Sequence, residues 1–509
     1  MNDKKDITKC LLTRREFLIS SGLLSLGVGE LLSYESFKKS KSKSRPNILL
    51  IISDQLSHKA VGALGNKYVQ TPNIDSIAEK GVCFTNAYCT YPLCQPVRAS
   101  FWTGRLPHET GVLSNGRNFP VPTIPESMPT LGSIFAGAGY ETVNFGKKHD
   151  AGALRGFLCE DETKSLPVES EKARPVNYDT LRDRYTTVKV VEYLKNKHEK
   201  PFFAVASLNN PHNICGWVGE NQGPHQDIPI QGELPPLPKN FEIDDLANRP
   251  LPVQYLCCSH LRLAQAGKWN KTNYQHYLSA YYHYIDRVDK EIGLILDALY
   301  SSPAGKNTLV VLIADHGDGM GAHRMVTKQV SFYEEITRVP FMFAGPGIKQ
   351  KGVKLNQPLV SLLDLLPTLC DYAELPIPSG LHGLSLLPML EGKANKTRHD
   401  YVVSEWHTEY GYIITPGRML RTERYKYTKY IEGDGEELYD LENDPGETHN
   451  LISNPVYSKV LKEHRELLRE HLKKTNDNFF SLDFKADKRW RSHKLGYQYH
   501  EGPVASMTD

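Results

Sequence analysis

Apolar and polar positions follow a repeating pattern from residue 47 onward. Asn47 opens an unbroken apolar run, Ile48 to Ile52, that ends at Ser53-Asp54-Gln55. A run of that length without alternation predicts a strand buried on both faces. Thr71-Pro72-Asn73 predicts a helix through Glu79, with Thr71 as its cap and Pro72 in the first helical position. A helix over Thr130–Ala138 precedes a strand over Glu141–Phe145, which runs into Gly146-Lys147-Lys148-His149. A helix over Tyr185–Lys195 feeds a strand over Phe202–Leu208 that ends in Asn209-Asn210-Pro211-His212. A long helix over Tyr274–Tyr300 precedes the strand Thr308–Ala314 and then Asp315-His316-Gly317. Strands alternating with helices predict an α/β fold, a large and mostly parallel sheet sandwiched by helices.

Each of these strands ends in polar, titratable residues. In open α/β sheets the ligand site lies outside the carboxyl ends of the strands. Asp54-Gln55, Lys147 with His149, His212, and Asp315-His316 are therefore expected along one edge. Lys147 and His149 are two apart, so an extended stretch would turn them to the same side. Between Gly216 and Lys271 the chain is rich in Pro, Gly and polar residues, and it reads as an insertion over that edge that influences substrate choice. From about residue 391 the pattern changes. Short strands are expected over Tyr401–Glu405, Gly417–Arg421 and Tyr425–Tyr430. A turn-rich stretch, Asp440 to Glu447, follows, and then a helix near Val456–Lys473. The expected organisation is an N-terminal segment (1–44), an α/β domain (45–390) and a smaller C-terminal subdomain (391–509) with a small antiparallel sheet and a helix.

The chain has 509 residues, 40% hydrophobic and 24% charged, the composition of an ordinary globular protein. Lys plus Arg total 61 and Asp plus Glu 59, a formal charge of +2, so nucleic acid is not an implied partner. The nine cysteines show no C-x-x-C pair or zinc spacing, and their odd number argues against a disulfide framework, leaving a single bridge open. Near the start, Thr13-Arg14-Arg15-Glu16-Phe17-Leu18 leads into a mostly apolar stretch to Leu32 and a basic Ser/Lys run to Arg45. That order predicts an export signal of twin-arginine type and a periplasmic bacterial protein, with an uncleaved membrane anchor as the alternative.

The candidate chemistry centres on Tyr91-Pro92-Leu93-Cys94-Gln95-Pro96-Val97-Arg98-Ala99-Ser100-Phe101-Trp102-Thr103-Gly104-Arg105. Its Cys94-x-Pro96-x-Arg98 core, followed by Thr-Gly-Arg, resembles the maturation signature of the type I sulfatases, in the alkaline phosphatase superfamily. Arg45-Pro46-Asn47, Thr71-Pro72-Asn73-Ile74-Asp75, Gly146-Lys147-Lys148-His149, Pro211-His212, Asp315-His316-Gly317, Arg338-Val339-Pro340 and Glu437-Leu438-Tyr439-Asp440 extend the resemblance to about Leu451. It implies a sulfuric ester hydrolase in which a maturation enzyme oxidises Cys94 to formylglycine, whose hydrate attacks sulfur. It implies that Asp54, Gln55, Asp315 and His316 hold one divalent metal. Gln55 stands where many members carry a second Asp, and His316 where many carry Asn, as in choline sulfatases and phosphonate monoester hydrolases. Ca²⁺ is the expected ion, with Mn²⁺ or Zn²⁺ brought closer by the imidazole. Lys147, His149 and Lys328 match positions that hold sulfate oxygens, Arg98 matches a ligand of the hydrate, and His212 matches the general acid.

Each residue also has a bland reading. Cys94 alone reads as a small buried residue at a helix start, Lys328 as a surface lysine, and His316 as a satisfied loop histidine. His323 and Arg324, close to Lys328, are weaker candidates for substrate contact. The expected substrate is a sulfated carbohydrate, glycosaminoglycan-type or another polysaccharide fragment. The alternatives are a phosphonate monoester, phosphodiester or choline-sulfatase-like activity, or a non-catalytic sulfoglycan-binding relative that keeps Cys94 as a thiol. Oligomeric state has no signature in the sequence.

Overall fold

The computed structural model describes residues 45–116, 121–160, 178–220, 233–242, 249–250, 253, 266, 269–328, 331–394, 399–407, 416–431 and 435–482. The expected export signal, most of the expected insertion and the end of the tail lie outside the described residues. Residues 46–509 form one compact unit. No helix among the described residues is long and apolar enough to cross a membrane.

The larger part of that unit contains strands β1 (Asn47–Asp54), β2 (Val82–Phe84), β3 (Ala87–Tyr88), β4 (Glu141–Gly146) and β5 (Leu158–Cys159). It continues with β6 (Phe202–Pro211), β7 (Thr308–Ala314), β8 (Phe341–Ala344), β9 (Val353–Leu355) and β10 (Val360–Ser361). Eight of these form one sheet in the order β5-β4-β6-β1-β7-β8-β2-β9, and β3 pairs with β10. Within the eight, β8 alone runs against its neighbours. The unbroken apolar runs of β1 and β7 are explained by this position: Ile48 to Ile52 and Leu309 to Ile313 sit mid-sheet, buried on both faces.

Helices α1 (Pro72–Lys80), α2 (Cys94–Thr103), α3 (Pro107–Thr110), α4 (Leu131–Gly137), α5 (Tyr178–Lys195), α6 (Ile214–Glu220) and α7 (Lys271–Ser301) connect or cover these strands. Asn270 caps α7 in a reciprocal box with Asn273, and Thr130 does the same for α4 with Ser133. Thr71 departs from the expected cap. Its hydroxyl instead accepts from the Gly62 amide and donates to Asp75, tying the preceding loop to α1. Strand β6 runs three residues beyond the expected end because the buried Asp183 of α5 accepts the amides of Asn209 (2.5 Å) and Asn210 (2.9 Å).

The C-terminal part is a four-stranded antiparallel sheet of β11 (Tyr401–Trp406), β12 (Gly417–Thr422), β13 (Tyr425–Tyr430) and β14 (Glu436–Asp440), in that order. The fourth strand is absent from the sequence reading. Glu-Glu-Leu-Tyr-Asp has too little alternation to stand out, and pairing with β13 decides it. Helix Ser458–Lys474 lays Leu461, Leu468 and Leu472 on this sheet, against Val403, Leu420 and Leu438. His108 of α3 links the two parts: its ring meets Glu405 at 2.7 Å and the Thr475 carbonyl at 3.1 Å.

Candidate active site

The carboxyl ends of β4, β6, β1 and β7 lie side by side, with Asp54 opposite Pro211 and Ser53 opposite Ala314. Helix α2 begins at Cys94 beside them, its first turn held by Asn115, which accepts the Gln95 amide at 3.0 Å. A helix N-terminus favours negative charge on that residue. Arg98, one turn later and fully buried, fastens the strand ends together. Its guanidinium donates to Asp315 Oδ2 (2.9 Å), Ser207 Oγ (2.9 Å) and Asp54 Oδ2 (3.1 Å).

Asp54, Cys94, Asp315 and His316 are all buried, and each offers one ligand atom within 4.8 Å of the others. His316 Nδ1 donates to the Gly317 carbonyl at 2.9 Å, which turns Nε2 toward Cys94 Sγ at 3.1 Å. Gly317 has to be glycine for this turn, since a Cβ would stand 2.0 Å from the Glu335 carbonyl. Gln55 sits at φ +70, strained for a side chain of its size, and its backbone amide donates to Asp315 Oδ1. Its side-chain amide has one sensible orientation. Nε2 donates to the Asp318 carboxylate at 2.8 Å, which turns Oε1 toward Lys328 Nζ (3.3 Å) and the Cys215 thiol (3.2 Å). Two carboxylates, an amide oxygen and an imidazole nitrogen are the donor chemistry of a divalent cation.

Two lysines bring positive charge to the same place. Lys328 Nζ lies 3.2 Å from Cys94 Sγ and is 1% exposed, the opposite of the surface position such a residue usually takes. Lys147 Nζ lies 2.5 Å from Asp54 Oδ2. It gets there because the chain leaves β4 at Gly146 with φ +89, where a Cβ would stand 2.2 Å from the Ser207 carbonyl. The stretch is not extended beyond that point. His149, half-buried, has φ +43, so the chain turns there and the shared side is not the product of an extended run. His212, half-buried just past β6, is close enough to Asp54 to influence its ionisation.

The electrostatics favour anions. Burial works to raise the Asp54 pKa, but Lys147, His212, Arg98 and Lys328 outweigh it and hold the carboxyl well below its usual range. Burial and Asp54 push the Cys94 thiol up, yet Lys147, Lys328 and His316 bring it well below the ordinary cysteine value. An atom at position 94 therefore sits where negative charge is stabilised.

His323 and Arg324 do not join the cluster. His323 is buried and stacked on Tyr333 at 4.1 Å, its pKa pushed down to about 3 by burial, while Arg324 pairs with Glu242. Residues absent from the sequence reading include Asp318 and Tyr277. Asp318 accepts from both Tyr277 and Gln55 and so sets the amide orientation. Its place three residues after Asp315 was the available signal.

The fold is a mostly parallel α/β sheet, and the cluster places a metal-type donor set and two lysines around position 94 at its carboxyl edge. The Sulfatase family model matches residues 46–375, and the model described as N-sulphoglucosamine sulphohydrolase, C-terminal, matches residues 321–475. The chain belongs to the sulfatase family, and it is an enzyme of that type. It is 52% identical over 467 residues to a Delta 4,5-hexuronate-2-O-sulfatase of Bacteroides thetaiotaomicron, covering 91% of this chain and 96% of that one. It is 30% identical to an ulvan-active sulfatase of Formosa agariphila, over 87% of this chain and 84% of the other. Among solved structures, a 2-O GAG sulfatase superposes with a TM-score of 0.85 at 51% identity, covering 91% of this chain and 99% of that one. The phosphonate monoester hydrolase of Agrobacterium radiobacter shares the fold, with a TM-score of 0.69 at 22% identity over 87% of this chain and 99% of that one. The family generally carries a metal and a formylglycine.

Proposed function

We propose that this protein removes the 2-O-sulfate from a Δ4,5-unsaturated hexuronate of a glycosaminoglycan fragment. The observation that carries the reading is the 52% identity, over nearly the whole chain, to a hexuronate-2-O-sulfatase, together with Lys328 against the position-94 atom and Lys147 beside Asp54. A C4–C5 double bond leaves no glycosidic oxygen at C4, so such a residue is terminal and the enzyme acts from the chain end.

In this reading Asp54, Gln55 Oε1, Asp315 and His316 Nε2 would hold one divalent cation, Ca²⁺ by its preference for oxygen donors, which would supply positive charge to the sulfate. Formylglycine formed from Cys94 would supply, as its hydrate, the attacking oxygen. Lys328 and Lys147 neutralise the sulfuryl oxygens where charge builds, and both are fixed before substrate arrives. Arg98 acts through the carboxylates it clamps. His212, at the open end of β6, donates the proton to the departing sugar oxygen, a role suited to imidazole near neutral pH. Residues 1–44 direct export to the periplasm, and a separate maturation enzyme modifies Cys94.

The test is sulfate release from an unsaturated disaccharide sulfated at the uronate 2-O position alone. Parallel reactions use the same disaccharide sulfated at glucosamine 6-O or N, and an aryl phosphonate monoester. Turnover confined to the 2-O substrate supports the reading. Preference for another sulfate position overturns it, and preference for the phosphonate moves the protein to the alternative suggested by Gln55 and His316.

A further inference from the structure

Two cavities of about 650 and 570 Å³ adjoin one another, the first bordered by Glu334, Glu335 and Arg338. None of the residues assigned to the reaction lines either one. Both volumes fall in the range of small-molecule sites. The cavities share a wall made by Tyr68, Tyr282 and Pro236, so they form two compartments on either side of an aromatic ridge. Tyr68 is 58% exposed, an unusual position for a large ring. Its neighbour Asn66 accepts the Tyr68 backbone amide and donates to the Tyr282 hydroxyl at 3.2 Å, bracing the ridge.

The two compartments differ in charge. The first is lined by Lys59, Lys67, Lys239 and Arg338. Its carboxylates are already neutralised, Glu335 by Lys59 at 2.5 Å and Glu334 by Lys426 at 2.8 Å. Lys67 and Lys239 have no ion-pair partner among the described residues, and both are exposed at the rim. The second compartment contains no Lys or Arg and offers Gln70, Gln275 and Ser279 beside two carboxylates, Glu233 and Asp286, the latter paired with Lys290 at 2.8 Å. Free cations beside an exposed ring, followed by amides and carboxylates that accept from hydroxyls, suit a ligand with an anionic unit next to a hydroxyl-rich one around an apolar face.

We propose that this groove is a second, non-catalytic binding site for an acidic oligosaccharide, holding the chain while its end is desulfated elsewhere. The anionic sugar occupies the lysine compartment, and the next sugar stacks on the Tyr68 ridge and turns its hydroxyls to the amides and carboxylates of the second. The proposal rests on the reading that the substrate is an acidic glycan.

The probe is a size-defined, saturated heparin-type hexasaccharide, which lacks the terminal unsaturated residue and is not turned over. Titration calorimetry with the full-length mature enzyme should show binding that weakens with salt. Lys67→Ala with Lys239→Ala should reduce affinity about tenfold, and Tyr68→Ala should reduce it further. Binding should survive Lys328→Met, which separates the groove from the catalytic centre. Turnover of the 2-O-sulfated disaccharide should stay within twofold in the groove variants. Wild-type binding that is absent, or unchanged in those variants, overturns the proposal, as does equal competition by poly-glutamate. Groove-dependent binding without 2-O-desulfation would leave this site standing and remove the proposed substrate.

Discussion

Replacing Lys328 by Met tests the electrostatic reading of the site most directly. The substitution keeps an unbranched stem of similar length and removes the charge. Lys328 Nζ lies 3.2 Å from the heavy atom at position 94. A sulfuryl group attached there places an oxygen within hydrogen-bond reach of the ammonium. Two unit charges at about 4 Å, with an effective dielectric of about 20, interact by about 4 kcal/mol. At about 1.4 kcal/mol per decade, kcat/KM should fall on the order of 10³-fold. The sulfate ester is already anionic before reaction, so part of this loss belongs to binding and should appear in KM. The part that grows as charge builds should appear in kcat, bounded by the roughly 10²–10³-fold that one fixed donor contributes. Stability should change little. Lys328 comes last among the four groups lowering the Asp54 pKa, so the carboxylates keep Arg98 and Lys147 as partners. The assay is steady-state sulfate release with a parallel melting curve, on both a sugar sulfate and an aryl sulfate, and the loss should be the same on both. A folded variant within tenfold of wild type would show that this lysine does not contact the sulfuryl group.

Further outcomes follow from the same geometry. In active protein, mass spectrometry of the peptide containing residue 94 should show a loss of about 18 Da against the thiol form, and Cys94→Ala should fold but lack turnover. Chelation should abolish activity and lower the melting temperature, while Asp315→Ala should prevent restoration by added Ca²⁺, Mn²⁺ or Zn²⁺. His212→Ala should cost about 10²–10⁴-fold on a sulfated sugar and far less on nitrophenyl sulfate, whose leaving group needs no proton; equal losses would assign the residue to sulfate binding. Stability should also depend on His108. Burial disfavours its charge, but Glu405 and Asp477 raise its pKa to about 9, against 6.5 when free. A raised pKa gives a contribution fully present below pH 6.5 and lost as pH rises through 9. Its ceiling is about 3 kcal/mol. Melting temperature should therefore fall across that window in the wild type, and His108→Gln should flatten the fall.

The sequence by itself determined the sheet and the side of it that carries chemistry. Ile48–Ile52 and Leu309–Ile313 are unbroken apolar runs because both faces of those strands are covered, and that demand is written in consecutive residues. Strand β14 was illegible for the converse reason, since Glu436–Asp440 owes its conformation to β13. At the site, Asp54, Asp315 and His316 could be placed together because each follows a strand end. Lys147 could be placed as well, but the path of the chain beyond it depends on Gly146 meeting the Ser207 carbonyl, which no local spacing reveals. Lys328 is the clearest case. It belongs to no predicted element, and a lysine there reads as solvated. Its burial is created by Gln55, just past β1, and Cys94 from α2, residues 273 and 234 positions away. The same holds for the orientation of Gln55, which Asp318 sets across 263 residues. Backbone preference and periodicity are local energies and can be read along the chain. The dielectric, the partners and the charge state of a buried group are made by whatever the fold packs around it, and only the tertiary structure decides them.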